Sequence, residues 1–282
     1  MILVRSSQPQ TTYPFLSPWG LCRHLWQHRE LIWQFVRREV KTRYHGSILG
    51  PLWSWVMPLM ALLIYTFVFG SVLKPRGPGW GERTSWQLAM VLISGLLLFN
   101  SFSELVGRAP FLIFSQPQFV KKVVFPVEIL PLSMLLGMLF HLLISLSVVV
   151  LLQTWQQVSF YWTWLWLLVL FVPYAMFLLG VGWFLASTSV FLRDVVPTMT
   201  AFCQLLIFLT PVFYPLSAVP EPYQIWLMLN PLCWVVELGR AALLGQTPSM
   251  KGMLFLFAMA WLVMQSGYWW FMLLKPRFAD VV

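Results

Sequence analysis

Apolar residues run along this chain in long blocks separated by short polar islands, and the first block is prefaced by a stretch with a different rhythm. Over residues 31–43, Ile32, Phe35, Val36 and Val40 recur at helical spacing on one side, while Arg37, Arg38, Lys41 and Arg43 crowd the other. A helix patterned this way lies in a membrane interface, its apolar side among acyl chains and its cations among phosphates. His45, Gly46 and Ser47 break the rhythm, and residues 46–73 contain no charged side chain. The interfacial helix therefore feeds straight into a span. Two readings fit these residues: a basic flank that only sets orientation, and a lever where water meets bilayer.

The blocks predict an all-α polytopic membrane protein with six spans, at about residues 50–73, 86–106, 129–152, 161–187, 196–214 and 252–274. Residues 129–192 are 64 positions without a charge, too long for one crossing, and the polar break at 153–157 divides them. Residues 1–18, with Pro9, Pro14 and Pro18, read as a loose lead, residues 19–45 as the interfacial region, 46–275 as the membrane domain and 276–282 as a tail. Residues 74–86 read as a polar turn. Residues 211–247 are too apolar for a free loop, yet Pro215, Pro220, Pro222 and Pro231 interrupt them too often for two crossings. Two short re-entrant helices, about 223–229 and 232–244, meet both conditions, provided protein or water lies beside them.

Composition agrees: 59% of residues are hydrophobic and only 10% charged. Seventeen tryptophans suit interfacial belts. The net charge of +9 suggests nucleic acid at first sight, but the cations are unevenly placed. The N-terminal segment, the 108–128 loop, the return at Arg193 and the tail hold thirteen of the eighteen Lys and Arg. That asymmetry is a topology signal, and it predicts both termini in the cytoplasm and no nucleic-acid partner. Residues 1–30 lack the apolar core of a secretory signal. Cys22, Cys203 and Cys233 show no paired spacing, and the His24 and His28 pair at i, i+4 is read as having no carboxylate partner, so neither a disulfide framework nor a metal site is expected.

Candidate chemistry is sparse. Residues 239–247 resemble a phosphate loop only superficially: five residues separate the glycines, and Gln246 stands where the lysine is needed. The chain is thus expected to be no enzyme, with no ATP site or other cofactor of its own. Glu104, Glu128 and Asp194 have basic neighbours, and His141, the one titratable group within the core of a predicted span, reads as an interhelical hydrogen-bonding residue. In the 108–128 loop, Lys121 and Lys122 precede Val123, Val124 and Phe125 between flanking prolines, which suits either a docking knob for a soluble partner or a connector along the bilayer. Trp55, Tyr65, Phe67, Phe69, Phe99 and Phe102 supply rings suited to sugar faces, though rings in spans also pack or form belts. Six spans hardly enclose a wide pore alone, so a homodimer with its conduit between copies is expected.

Two stretches carry a resemblance. Residues 37–58, R-R-E-V-K-T-R-Y followed by S-x-L-G-x-L-W and Pro58, and residues 120–131, V-K-K-V-x-F-P-x-E-I-L-P, are similar to the type-2 ABC exporter permeases that move O-antigen, capsule and teichoic acid. The gate with Asn230-Pro231 and the final Phe278-Ala279-Asp280 look alike too. The resemblance implies a permease subunit of the bacterial inner membrane, working with two copies of an ATPase that binds ATP and Mg. The resemblance also implies export of a polyprenyl-pyrophosphate-linked polysaccharide. Arg38, Arg43, Tyr44, Leu49, Gly50 and Trp53 are then expected at the substrate entrance. Arg37, Lys41, Gln118, Lys121, Lys122, Val123, Phe125 and Pro126 are expected against the ATPase, and Pro211, Tyr214, Pro215, Asn230, Pro231, Glu237 and Arg240 at the periplasmic gate. The tryptophans at 162, 164 and 166 depart from the family. A drug or lipid exporter, a membrane-embedded glycan transferase and an envelope scaffold remain as alternatives.

Overall fold

The computed structural model describes residues 18–73, 84–120, 125–155 and 161–281, and every regular element among them is helical. The expected lead falls almost wholly outside the described residues, as do most of the 74–86 turn, half of the polar break at 153–157, and Lys121, Lys122, Val123 and Val124.

Two helices precede the apolar blocks, α1 (Pro18–Gln27) and α2 (Arg29–Tyr44). Then come α3 (Trp53–Phe67), extended by a π-helical stretch (Val68–Leu73), and α4 (Ser85–Arg108). A short α5 (Pro117–Val120) leads to α6 (Ile129–Trp155), α7 (Leu165–Ser189) and α8 (Val195–Leu209). Two small helices, α9 (Glu221–Met228) and α10 (Pro231–Leu243), stand in the block interrupted by prolines, before α11 (Met250–Leu274) and α12 (Phe278–Val281).

Local chemistry sets where these helices begin. Thr84 accepts from the Gln87 amide at 3.3 Å, and Gln87 Oε1 accepts from the Thr84 amide at 3.1 Å, a reciprocal box that starts α4. Asn230 accepts from the Leu232 amide with Pro231 in the first turn of α10, and Ser249 accepts from the Gly252 amide to open α11.

Five helical segments are long and apolar enough to cross a bilayer: Gly50–Phe67, Ser85–Phe111, Ile129–Trp155, Trp162–Ser189 and Met250–Val281. The block expected at 196–214 behaves differently. Its helix has 15 residues, about 22 Å of rise against a hydrocarbon core of about 30 Å. Pro211 is the cause: its ring disfavours helical backbone at the preceding residue, and Thr210 is extended, with φ −109° and ψ 133°.

The bundle is organised around α4, buried on nearly all sides from Leu88 to Val106 and touching α3, α6, α7, α8 and α10. The closest approach is between α7 and α11. A Cβ on Gly180 would stand 2.3 Å from the Val263 carbonyl oxygen, and one on Gly267 2.1 Å from the Gly180 carbonyl oxygen. With no side chain at either position the two backbones touch, the packing device by which helices associate where hydrophobic burial gives no drive. One end of the bundle gathers α1, α2, the end of α4, the start of α6 and the tail, and is called the basic face below. At the other end, Thr163 Oγ1 and Trp164 Nε1 donate to the carbonyls of Ala242 and Leu243.

Candidate functional site

The two-sided pattern of α2 becomes a two-sided contact. Ile32 and Val36 are buried against Ile129 at the start of α6. Further along, the aliphatic stem of Glu39 lies over Gly137, where a Cβ would come within 2.6 Å of Glu39 Cγ. On the outer side, Arg37 stacks over Trp33 at 5.2 Å and Arg29 over Trp26 at 5.3 Å. Arg37, Arg38, Lys41, Thr42 and His45 line an open basic groove there.

Phe35 connects α2 to the segment between α5 and α6. Its ring meets Phe119 edge-on at 5.4 Å and Phe125 at 5.6 Å, while Phe119 and Phe125 stack at 4.5 Å. Phe119 and Phe125 bracket the 121–124 segment that bears the lysine pair. α2 is therefore joined to the two residues that flank 121–124, next to the stretch expected from sequence to touch a soluble partner. Gln118 is exposed beside them, and Pro126 supplies the carbonyl that caps the first turn of α6, accepting from the Ile129 amide at 3.1 Å.

Glu128 closes this platform. Its carboxylate is only 1% exposed and takes His24 Nε2 at 2.7 Å from α1 and Lys275 Nζ at 2.6 Å from the end of α11. Its backbone carbonyl accepts from Trp183 Nε1 at 3.0 Å. Burial pushes the carboxyl pKa up, but the His24 hydrogen bond and the Lys275 charge outweigh it and hold the group down to about 2.

At its far end α2 meets the membrane block through two polar clusters. Arg43 forks onto Glu104 of α4, with Nη1 to Oε1 at 2.8 Å and Nη2 to Oε2 at 3.0 Å. Arg108 bridges Glu104, at 3.0 Å, and Glu39, so that the signs alternate along a chain of four. Beside it, the Tyr44 hydroxyl bonds Ser54 of α3, and both reach His141 Nδ1 of α6 at 3.0 Å. His141 thus makes an interhelical bond of the kind expected from its place in the span. Gly46 (φ 79°) and Gly50 (φ 49°) take the left-handed backbone that turns α2 into α3, and Ser47 Oγ accepts from the Gly50 amide. Leu49 and Trp53 project from this turn, exposed. Behind the Arg43–Glu104 pair lies a cavity of about 340 Å³ between α3, α4 and α6.

At the opposite end, Arg240 of α10 is 4% exposed and supplies the donors that the broken end of α8 needs. Nη2 donates to the carbonyls of Pro211 at 2.9 Å and Val212 at 3.0 Å, and Nη1 to Tyr214 at 3.4 Å and to Glu237 at 3.0 Å. Glu237 also accepts from the Leu216 amide, next to Pro215. Asn230 Nδ2 donates to Thr210 Oγ1 at 3.0 Å, so both ends of α10 grip the 210–214 segment. The Tyr214 hydroxyl turns back to the Phe208 carbonyl at 2.7 Å.

The rings expected along a channel divide into two groups. Trp55 and Phe67 are exposed and Tyr65 and Phe69 partly so. Phe99 and Phe102, 3% and 5% exposed, belong to the packing of α4, and Phe102 stacks on Phe177 at 5.9 Å. Between α4 and α8 lies a groove of about 400 Å³ whose wall is mainly apolar, with the edge of Phe99, Val106 and Ile207, and into which Asn100, Ser103, Thr200 and Gln204 bring polar groups. Sequence reasoning overlooked these four, and also Glu39, Arg108 and Lys275. It read Glu104 as locally paired, as its bond to Arg108 bears out, but did not anticipate Arg43 as its second partner or Glu128 as the partner of His24. The available signal was a carboxylate or amide stranded near the end of an apolar run.

A bundle of long apolar helices with a charged platform at one end and a broken pair of helices at the other is a polytopic α-helical membrane protein. A profile of the ABC-2 type transporters matches residues 30–244. The chain belongs to the ABC-2 type transporter family, and it is a transport subunit. It is 31% identical over 221 residues to the O-antigen export system permease protein RfbA of Myxococcus xanthus, covering 75% of this chain and 79% of that one. An RfbA of the same description from Klebsiella pneumoniae is 26% identical over 254 residues, covering 90% and 95%. The polysialic acid transport protein KpsM of Escherichia coli is 26% identical over 217 residues, covering 73% and 78%.

Proposed function

We propose that this chain is the membrane permease of an ATP-driven exporter that carries a polyprenyl-pyrophosphate-linked, O-antigen-like polysaccharide across the bacterial inner membrane. Two copies form the conduit and two copies of a separate ATPase subunit bind ATP and Mg. The relatives named for O-antigen export, one of them covered along 95% of its length, favour that cargo over capsule. The charge asymmetry favours a cytoplasmic basic face with both termini on it.

The observation that carries the mechanism is the Phe35–Phe119–Phe125 cluster, because it joins α2 to the residues on both sides of 121–124, the stretch that bears Lys121 and Lys122 in sequence. ATP-driven closure of the partner dimer moves that body, and α2 delivers the movement to Arg43 and Tyr44 at the mouth of the first span. Arg38, Arg43 and Tyr44 receive the pyrophosphate, since the arginine fork matches phosphate oxygens. The bundle counts six crossings, the fifth made by α8 together with the 210–216 segment, and α9 and α10 form the periplasmic gate. The amides and hydroxyls of Asn100, Ser103, Thr200 and Gln204 in the groove between α4 and α8 support the two-copy conduit, because such groups facing lipid are costly whereas against a hydrated glycan they are paired.

The test is reconstitution of the permease with the ATPase in vesicles loaded with lipid-linked glycan. Export that requires both subunits and ATP is expected. Transfer of glycan by this chain alone, or its chemical modification, would overturn the proposal.

A further inference from the structure

The arginine best placed for a phosphate is not free. Both terminal nitrogens of Arg43 are committed to one carboxylate, that of Glu104, in the two-pronged geometry that an arginine also offers to a phosphate. We propose that Glu104 is a built-in competitor for the lipid headgroup. It occupies the Arg43 fork at rest, and only a multiply charged headgroup displaces it, which makes Glu104 a specificity-determining residue for pyrophosphate over the phosphodiesters of ordinary phospholipids. The inference rests on the proposed role of Arg43 in receiving the headgroup.

Three observations support exchange at this place. The pair can be reached from outside, with Arg43 29% and Glu104 27% exposed, so a headgroup can approach the fork. A cavity of about 340 Å³ opens directly behind both side chains, with Asn100, His141 and Ser145 on its wall beside Met57 and Met138, so there is room for a polar group next to the fork. And Glu104 has somewhere to go. Arg108 already holds its Oε1 at 3.0 Å, so release from Arg43 leaves no carboxylate stranded without a cation.

The competitor has a purpose because bulk phospholipid surrounds the site. A bare arginine at the bilayer edge is occupied by whatever phosphate is most abundant. A tethered carboxylate acts at a high effective concentration, so a singly charged phosphodiester fails to displace it while a pyrophosphate, with more charge and more acceptor oxygens, succeeds.

The experiment uses the full chain in phosphatidylglycerol-containing nanodiscs, with a short-chain polyprenyl pyrophosphate as probe and the matching polyprenyl alcohol as control. For Glu104→Gln, binding of the pyrophosphate roughly three- to tenfold tighter than wild type is expected, together with loss of discrimination, so that phosphatidylglycerol now competes. In an Arg43→Gln background the same change has no effect. Glu104→Asp, which keeps the charge and shortens the reach, gives an intermediate result, and thermal unfolding checks that each variant is folded. If wild type binds the probe but Glu104→Gln binds it no better and with the same discrimination, Glu104 is only a tie between α2 and α4 and the inference is overturned. If wild type and Arg43→Gln are alike in not binding the probe, the headgroup role of Arg43 itself fails and takes the inference with it.

Discussion

Glu128 and Lys275 lie 147 residues apart and meet through a hydrogen-bonded ion pair of 2.6 Å. The carboxylate is buried, and His24 holds its other oxygen. One residue therefore ties α1, the start of α6 and the tail together. Removing a single partner of such a pair leaves a charge uncompensated. Glu128→Ala is expected to lower stability by about 3 kcal/mol, and Glu128→Gln by less, measured as thermal unfolding in detergent.

The same carboxylate gives the platform an acid limit. Its pKa in the folded chain is about 2, below the ordinary 4.5, so its contribution is complete above about pH 4.5 and disappears as pH falls from there toward 2. Unfolding temperature should drop across that window more steeply for wild type than for Glu128→Gln. Parallel curves would show that the carboxylate contributes nothing.

Much of this fold was legible in the order of side chains, and the part that was not has a common cause. That Ile32, Phe35 and Val36 share one face of α2 was readable from the helical period. What covers that face was not: expected among acyl chains, it packs on Ile129 of α6 and on Phe119 and Phe125. The break-up of residues 211–247 was readable because proline acts locally, although the consequence of Pro211 for Thr210, an α8 of only 15 residues, was missed. What period and spacing do not encode is who meets whom across the fold. Arg43 and Glu104 are 61 positions apart, and nothing in either neighbourhood names the other. Nor does a ring in an apolar run reveal its direction, so Phe99 and Phe102, buried in α4, read the same in sequence as the exposed Trp55 and Phe67.

The contact between α2 and the residues that flank 121–124 should be measurable as an interaction between rings. In a double-mutant cycle, Phe35→Ala and Phe125→Ala are expected to couple by about 1 kcal/mol in stability. In the complete transporter either change should leave ATP hydrolysis running with export reduced. Loss of both in proportion would point to a folding defect instead.

Backbone contact between α7 and α11 leaves no room for even a methyl group. Gly180→Ala or Gly267→Ala is expected to cost at least about 2 kcal/mol or to prevent folding, because the neighbours in the way are carbonyl oxygens. Gly107, exposed and with open space at its Cβ, is the control: Gly107→Ala should be neutral or stabilising by up to about 1 kcal/mol. Equal effects at the three sites would refute close backbone packing as the reason.

Arg240→Met removes the donor for three carbonyls and strands part of the segment after α8, so a loss of about 3 kcal/mol is expected. Glu237→Gln should cost under about 1 kcal/mol, its side chain being 30% exposed. Limited proteolysis within residues 211–219 should speed up for the first variant only.

Spin labels at two pairs of exposed positions, with Cys22, Cys203 and Cys233 replaced, can follow transmission from platform to entrance in the complete transporter. One pair, Gln34 and Gln118, reports on the platform; the other, Thr42 and Gly107, spans the Arg43–Glu104 contact. Distances between the labels are compared with and without ATP. Rigid transmission requires the first distance to stay constant while the second changes on ATP binding. A first distance that changes while the second stays fixed would mean that movement ends within the platform, and transmission through α2 would be contradicted.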